Sequence, residues 1–212
     1  MYGWTPSPAP PTHSNNVGGE LMPDEFGTEP LVGYRSWLVV NAGDGTGLAL
    51  KSLHVSYLWE RQVEAICHQQ AIMFRRDLHP DRISPALTCS CGIYAQLPDQ
   101  PISEWEHARR GRVYASGTIA MWGRIIECQR GYKAQYAQIQ SPIVLDLSCV
   151  NGCTNPPSKV ALPDHQWSVF NAYCTEHAVA ASQTVKIQYD VWLGEARKRL
   201  SQRYQLEVLT WK

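Results

Sequence analysis

The sequence predicts an α+β fold: an antiparallel, partly barrel-like sheet with short helices, followed by a zinc-knuckle element and a long C-terminal helix. Three observations carry this expectation. Val113, Ala115, Gly117, Ile119 and Met121 alternate with Tyr114, Ser116, Thr118, Ala120 and Trp122, the period of a strand. Ala178, Ala181, Val185, Tyr189, Trp192, Ala196 and Leu200 follow in steps of three and four, which is one stripe of a helix. Six of the seven cysteines fall into two groups, each with a histidine nearby, at spacings that suit a tetrahedral metal site.

The 212 residues suffice for one domain, or for one domain and an appendage. Lys+Arg and Asp+Glu number 19 each, so the formal charge is zero. That argues against affinity built on bulk phosphate neutralisation, although a local basic groove is compatible with it. There is no apolar run of about 18 residues, so no membrane span is expected. The N-terminus lacks the basic-then-apolar pattern of a secretory signal. An odd number of cysteines without such a signal points to reduced thiols in a cytoplasm.

The elements follow in order. Residues 1–30 read as a tail: Pro6, Pro8, Pro10 and Pro11 remove backbone donors and fix φ, and Gly, Asn and acidic residues follow. Residues 31–147 read as a zinc-stapled α+β domain. The run Gly33–Val40 is aromatic and β-branched, Asn41–Gly47 has turn chemistry, and Leu48–Val55 alternates, which together predict a hairpin. Residues 57–76 shift towards a helical period, ended by His79-Pro80. A short strand follows at Ile93-Tyr94-Ala95. Ser103-Glu104-Trp105-Glu106 matches a capping box for a short helix to Arg110. The long strand 113–128, with a bulge at Gly123, turns at Gln129-Arg130-Gly131 into a return strand, and Ile143–Leu147 is a further short one. Residues 148–212 read as a zinc knuckle plus the C-terminal helix. Strand-like pieces fall at 159–162 and 167–173, Thr175 is the expected N-cap, and a last strand is expected near Val208.

Two constellations carry chemistry. Cys67, His79, Cys89 and Cys91 supply soft and borderline ligands for one zinc ion, with His68 competing with His79 as the nitrogen donor. Cys149-x3-Cys153 and Cys174-x2-His177 form two paired-ligand elements around a hairpin-sized insert, the layout of a zinc ribbon or knuckle, and Gly152 permits the tight turn. Cys128 is left over at the end of an apolar strand, where a free thiol acts as a small hydrophobe. Neither set shows a His-x-Glu…Pro-Cys-x2-Cys or His-Glu-x2-His arrangement. Glu176, beside His177, reads as a first-turn residue favoured by the helix dipole rather than as a general base. No phosphate loop or nucleophile elbow is present, so both zinc ions are read as structural and no catalytic residue is assigned. Arg109, Arg110 and Arg112, with Arg197 and Lys198, are candidate nucleic-acid contacts; exposed aromatics beside them could stack bases.

Gly33-Tyr34-Arg35-Ser36-Trp37, His79-Pro80, Cys89-Ser90-Cys91-Gly92-Ile93-Tyr94-Ala95, Trp122-Gly123 and Gly131-Tyr132-Lys133-Ala134 together resemble a group of uncharacterised proteins of actinobacteria and their phages. The resemblance implies an accessory protein in the cytoplasm of a bacterial host and brings no activity with it. The expected function is therefore a non-enzymatic binding module, with either nucleic acid or a host or recombination protein as partner. A zinc-dependent enzyme is the third reading.

Overall fold

The computed structural model describes residues 29–43, 47–53, 57–67, 83–97, 111–140, 142–163, 169–184 and 187–210. The tail expected at 1–30, except its last two residues, lies outside them. So do the helix expected at 103–110, His68, His79, Arg109 and Arg110.

Eleven strands and two helices form among the described residues, an α+β composition dominated by strands. β1 (Leu31–Val40) and β2 (Ala49–Ser52) are the predicted hairpin, in register Val40↔Ala49 to Trp37↔Ser52. β3 (Gln62–Glu64) lies where a helical period was expected. The correction has a simple cause. Val63 is the buried residue between exposed Gln62 and Glu64, and β6 offers that segment a ladder partner. β4 (Ile93–Gln96), β5 (Tyr114–Cys128), β6 (Gly131–Ile139) and β7 (Ile143–Asp146) match the predicted strands. The β5–β6 register shifts between Trp122 and Ile125, which places the bulge at Gly123 as expected.

Eight strands form one sheet in the order β11-β7-β5-β1-β4-β6-β3, with β2 on β1. β5 also pairs with β6, so the path β5-β1-β4-β6 returns to β5 and the sheet partly closes on itself. Closure demands close strand approach. Gly131, at φ +153°, has no room for a side chain: a Cβ there would lie 1.9 Å from the Ala95 carbonyl oxygen. Gly131→Ala is expected to force β4 from β6 and cost about 3 kcal/mol, from overpacking plus an unfavourable backbone. Denaturant titration checks this; an unchanged midpoint would refute the close-approach argument.

β8 (Lys159–Pro163), β9 (Asn171–Tyr173) and β10 (Ile187–Trp192) form a second sheet in the order β10-β8-β9. The long C-terminal helix is corrected. It is split into α1 (Thr175–Thr184) and α2 (Leu193–Tyr204), with β10 between them. The sequence between the helices, Val185-x-Ile187-x-Tyr189-x-Val191, also alternates with period 2, and β8 supplies the ladder that decides between the two readings. The N-cap is also corrected by one residue. The Ala178 amide donates to the Cys174 carbonyl, so Cys174 caps α1 and Thr175 is its first residue.

The boundary expected at 147/148 does not separate two cores. Trp37, Leu50, Ile119 and Ile143 share one apolar cluster with Val160, Phe170, Leu200 and Tyr204. α2 buries Ala196, Leu200 and Tyr204, one face at i, i+4 and i+8. The Tyr204 hydroxyl accepts from the Leu50 amide at 2.8 Å and donates to the Trp59 carbonyl at 3.0 Å, so α2 is pinned to the β2 region. β11 (Val208–Thr210) then joins β7 in parallel.

Candidate metal centres

The Cys149 centre is built from two chain ends that the small sheet holds together. The turn after Cys149 closes with the Gly152 amide donating to the Cys149 carbonyl at 2.8 Å. The Val150 amide donates to the Ala172 carbonyl, which ties this turn to β9. β9 then delivers Cys174, and the first turn of α1 delivers His177. His177 Nδ1 lies 3.3 Å from Cys149 Sγ, 3.4 Å from Cys153 Sγ and 3.2 Å from Cys174 Sγ. Cys153 and Cys174 sulfurs are 3.7 Å apart. A zinc tetrahedron with Zn–S near 2.3 Å has edges of roughly 3.6–3.8 Å, so four donor atoms already sit close to the corners of one. Four atoms this close, with an imidazole nitrogen facing three sulfurs, fit a divalent cation better than a packed core.

The electrostatics agree with that reading. Burial pushes the Cys149 thiol up, but backbone amides at Cys174 and Asn151 and the thiols of Cys153 and Cys174 outweigh it and hold the group below the ordinary thiol range. Cys153 is pushed up, first by burial. Cys149 is thus the easier of the two thiols to deprotonate, and metal binding must displace the protons that the ligands hold.

The second centre lies across β6. The chain leaves β3 alongside β6, with the Ala65 amide donating to the Gln135 carbonyl at 2.7 Å, and reaches Cys67. The loop before β4 supplies Cys89 and Cys91, and β4 pairs with the other end of β6. Cys67 and Cys89 sulfurs lie 3.6 Å apart, and the three sulfurs form a group within 4.8 Å of one another. His79, the expected fourth ligand, lies outside the described residues, as does His68. Burial pushes the Cys89 thiol up to about 11. Tyr94 is pushed up to about 12, by burial first and then by the thiols of Cys128, Cys91 and Cys89; its hydroxyl donates to the Ser90 carbonyl between the ligands at 2.8 Å.

Cys128 is buried and outside both groups, its sulfur 3.8 Å from the Ile126 carbonyl oxygen. Among the described residues, Arg112 lies apart in sequence from Arg197 and Lys198, which share α2. Arg112 is exposed and bridges to Asn171 ahead of β5. Arg197 spends its Nε on the Val208 carbonyl at 2.9 Å, and Lys198 is exposed on α2.

Two features escaped the sequence reading. One is Lys133, which is buried although flanked by Tyr132 and Ala134. The alternation gave no clear signal, because Lys133 shares its side of β6 with the polar Gln135 as well as with Ala137. The other is a groove of about 210 Å³ between α1 and the outer face of the small sheet, with Tyr173, Ala178, Val179, Ile187 and Trp192 among its lining. Trp192 and Val179 are each 57 % exposed at its rim. Among the described residues no helix is long and apolar enough to cross a membrane. No family model, curated protein or solved structure matches the chain.

Proposed function

We propose that the protein is a non-catalytic binding module, stapled by two structural zinc ions, that takes an extended apolar segment of a protein partner along β10. The observation that carries this reading is the groove beside the Cys149 centre. Its helical wall is α1, whose first turn contains the ligand His177 and whose cap is the ligand Cys174. Metal binding therefore sets the wall of the groove.

The occupant follows from chemistry at the groove. β10 is an edge strand paired with β8. The Leu193 amide donates to the Ser158 carbonyl, so ladder alternation turns both backbone groups of Asp190 and the amide of Trp192 to the outer edge, while the Trp192 carbonyl, at the N-cap of α2, starts that helix. An added strand satisfies such groups. The charged lining residues Lys159 and Asp190 neutralise each other at 2.8 Å, and the Lys159 ammonium also lies over the Trp192 ring. A neutral apolar segment complements that surface better than a phosphodiester chain. The volume is below the roughly 300–1,000 Å³ of small-molecule pockets and suits individual side chains.

Selection of a displayed library of random linear peptides on the zinc-loaded protein tests this. Peptides with alternating apolar residues are expected to be enriched. Asp190→Pro removes one outward donor, and should weaken the enriched peptide at least tenfold while zinc content stays the same. Enrichment of nothing, or of peptides indifferent to Asp190→Pro, would refute the reading. A single-stranded oligonucleotide titrated in parallel covers the nucleic-acid alternative: binding that falls steeply with salt would favour it.

A further inference from the structure

We propose that Lys133 is the charge-balancing positioning residue of the Cys67–Cys89–Cys91 centre, its ammonium matching the negative charge that three thiolates leave on a divalent ion. The inference rests on the metal reading of that cluster and assigns a role to a residue outside the ligand set.

Lys133 is only 4 % exposed. Its Nζ donates to the Ala86 carbonyl at 2.6 Å and to the Cys89 carbonyl at 2.8 Å. The Cys89 amide in turn donates to the Ala86 carbonyl, so the ammonium grips both ends of the turn that delivers Cys89. Both acceptors are neutral, and among the described residues no ion pair joins Lys133 to a carboxylate. A buried cation without a counter-charge is strongly unfavourable. The nearby ligand cluster supplies one. Three thiolates, each −1, around a +2 ion leave −1, and a neutral imidazole as fourth ligand leaves that unchanged. One ammonium brings the buried assembly to zero.

The ligand loop is shaped to admit this side chain. Gly92, directly after Cys91, has φ +120°. A Cβ there would lie 3.1 Å from Lys133 Cβ and 2.9 Å from Pro85 Cβ. The glycine of the Cys-x-Cys-Gly run is thus where the lysine stem passes under the loop. The Cys149 centre carries the same ligand charge but is more open, with Cys153 and His177 only half-buried, so solvent can screen it.

The test separates charge from hydrogen bonding. Lys133→Gln keeps a donor for the two carbonyls and removes the charge; Lys133→Arg keeps the charge. Zinc release is followed by chelator competition, and the equivalent lost in Cys89→Ser identifies this centre. Lys133→Gln is expected to weaken that equivalent about 10- to 100-fold, the range for outer partners of metal ligands. Lys133→Arg should recover most of the loss, and the Cys149 equivalent should not move. Wild-type affinity in Lys133→Gln would overturn the inference while leaving the metal reading intact. Absence of a Cys89-dependent zinc in the wild type would overturn both. Should Lys133→Gln fail to fold, Lys133→Arg decides: near-wild-type affinity of the Cys89-dependent equivalent supports the inference, and loss of that equivalent from a folded Lys133→Arg refutes it.

Discussion

Cys174→Ser is expected to remove one of the two zinc ions proposed for each chain. Cys174 sits at the junction of β9 and α1, with its sulfur 3.2 Å from His177 Nδ1 and 3.7 Å from Cys153 Sγ. A serine hydroxyl stays protonated at neutral pH and replaces a thiolate with a weak neutral donor. Structural zinc contributes about 10–16 kcal/mol of apparent binding free energy in small zinc-binding peptides, so loss of one of four ligands removes a large share. The loss should be local. The Ala178-to-Cys174 backbone bond and the packing of Ala181 on Tyr173 and Ala161 retain some helix, but the tether to the Cys149 turn is gone. Native mass spectrometry should show one zinc, and amide exchange should accelerate over 174–184 while β5 and β6 stay protected. Cys89→Ser should remove the other ion and leave α1 protected. Two zinc ions retained in Cys174→Ser would contradict the ligand set, as would a metal-free wild type.

Trp37→Ala should cost about 4 kcal/mol, in the range for truncating a fully buried aromatic and leaving a cavity. The ring has no exposed surface and meets Trp59 edge-on with centroids 5.4 Å apart. It also lies against Gly117, where a Cβ would be 3.6 Å from Trp37 Cζ3. β1 therefore cannot shift inward to fill the gap without losing its eight-residue register with β5. Domain stability is typically about 5–15 kcal/mol, so such a loss is a large fraction of the whole. Trp37→Phe is a discriminating control. Among the described residues the buried Trp37 indole N–H has no hydrogen-bond partner, a penalty of about 1–3 kcal/mol that phenylalanine removes. The phenylalanine variant should thus lose far less than its smaller volume alone suggests. Chemical denaturation of both variants measures the contrast; a Trp37→Phe loss as large as its lost ring volume alone predicts would mean the orphan donor carries no cost.

Much of the sheet was legible because its signals are local. The alternation over 113–128, the turn at 129–131 and the Asn/Gly-rich connection after Val40 each determine a strand or a reversal without outside help. The clustering of Cys149, Cys153, Cys174 and His177, and of Cys67, Cys89 and Cys91, was legible for a related reason. Three thiols and an imidazole at the spacing of Cys149, Cys153, Cys174 and His177 suit a metal far better than a packed core, and the four donor atoms lie within 4.8 Å of one another. Where the reading failed, two local patterns competed. Residues 178–200 carry a helical stripe and, within it, the alternation of Val185, Ile187, Tyr189 and Val191. Residues 57–67 offered uneven helical spacing against a single buried Val63 in a strand. A sequence cannot rank such patterns, because the deciding hydrogen bonds come from β8 and β6, distant in the chain.

The amino-acid sequence by itself determined the α+β class, the long β5–β6 hairpin and the two cysteine groups able to hold a metal. Tertiary structure alone decided that the sheet returns to β5, that 148–212 shares the core of 31–147, and that Lys133 lies beneath the Cys89–Cys91 loop. The physical reason is the range of the interactions. Alternation and ligand spacing act between near neighbours, whereas closure at Gly131, the parallel β7–β11 pair and a buried ammonium matched to a thiolate cluster depend on surfaces brought together only by folding.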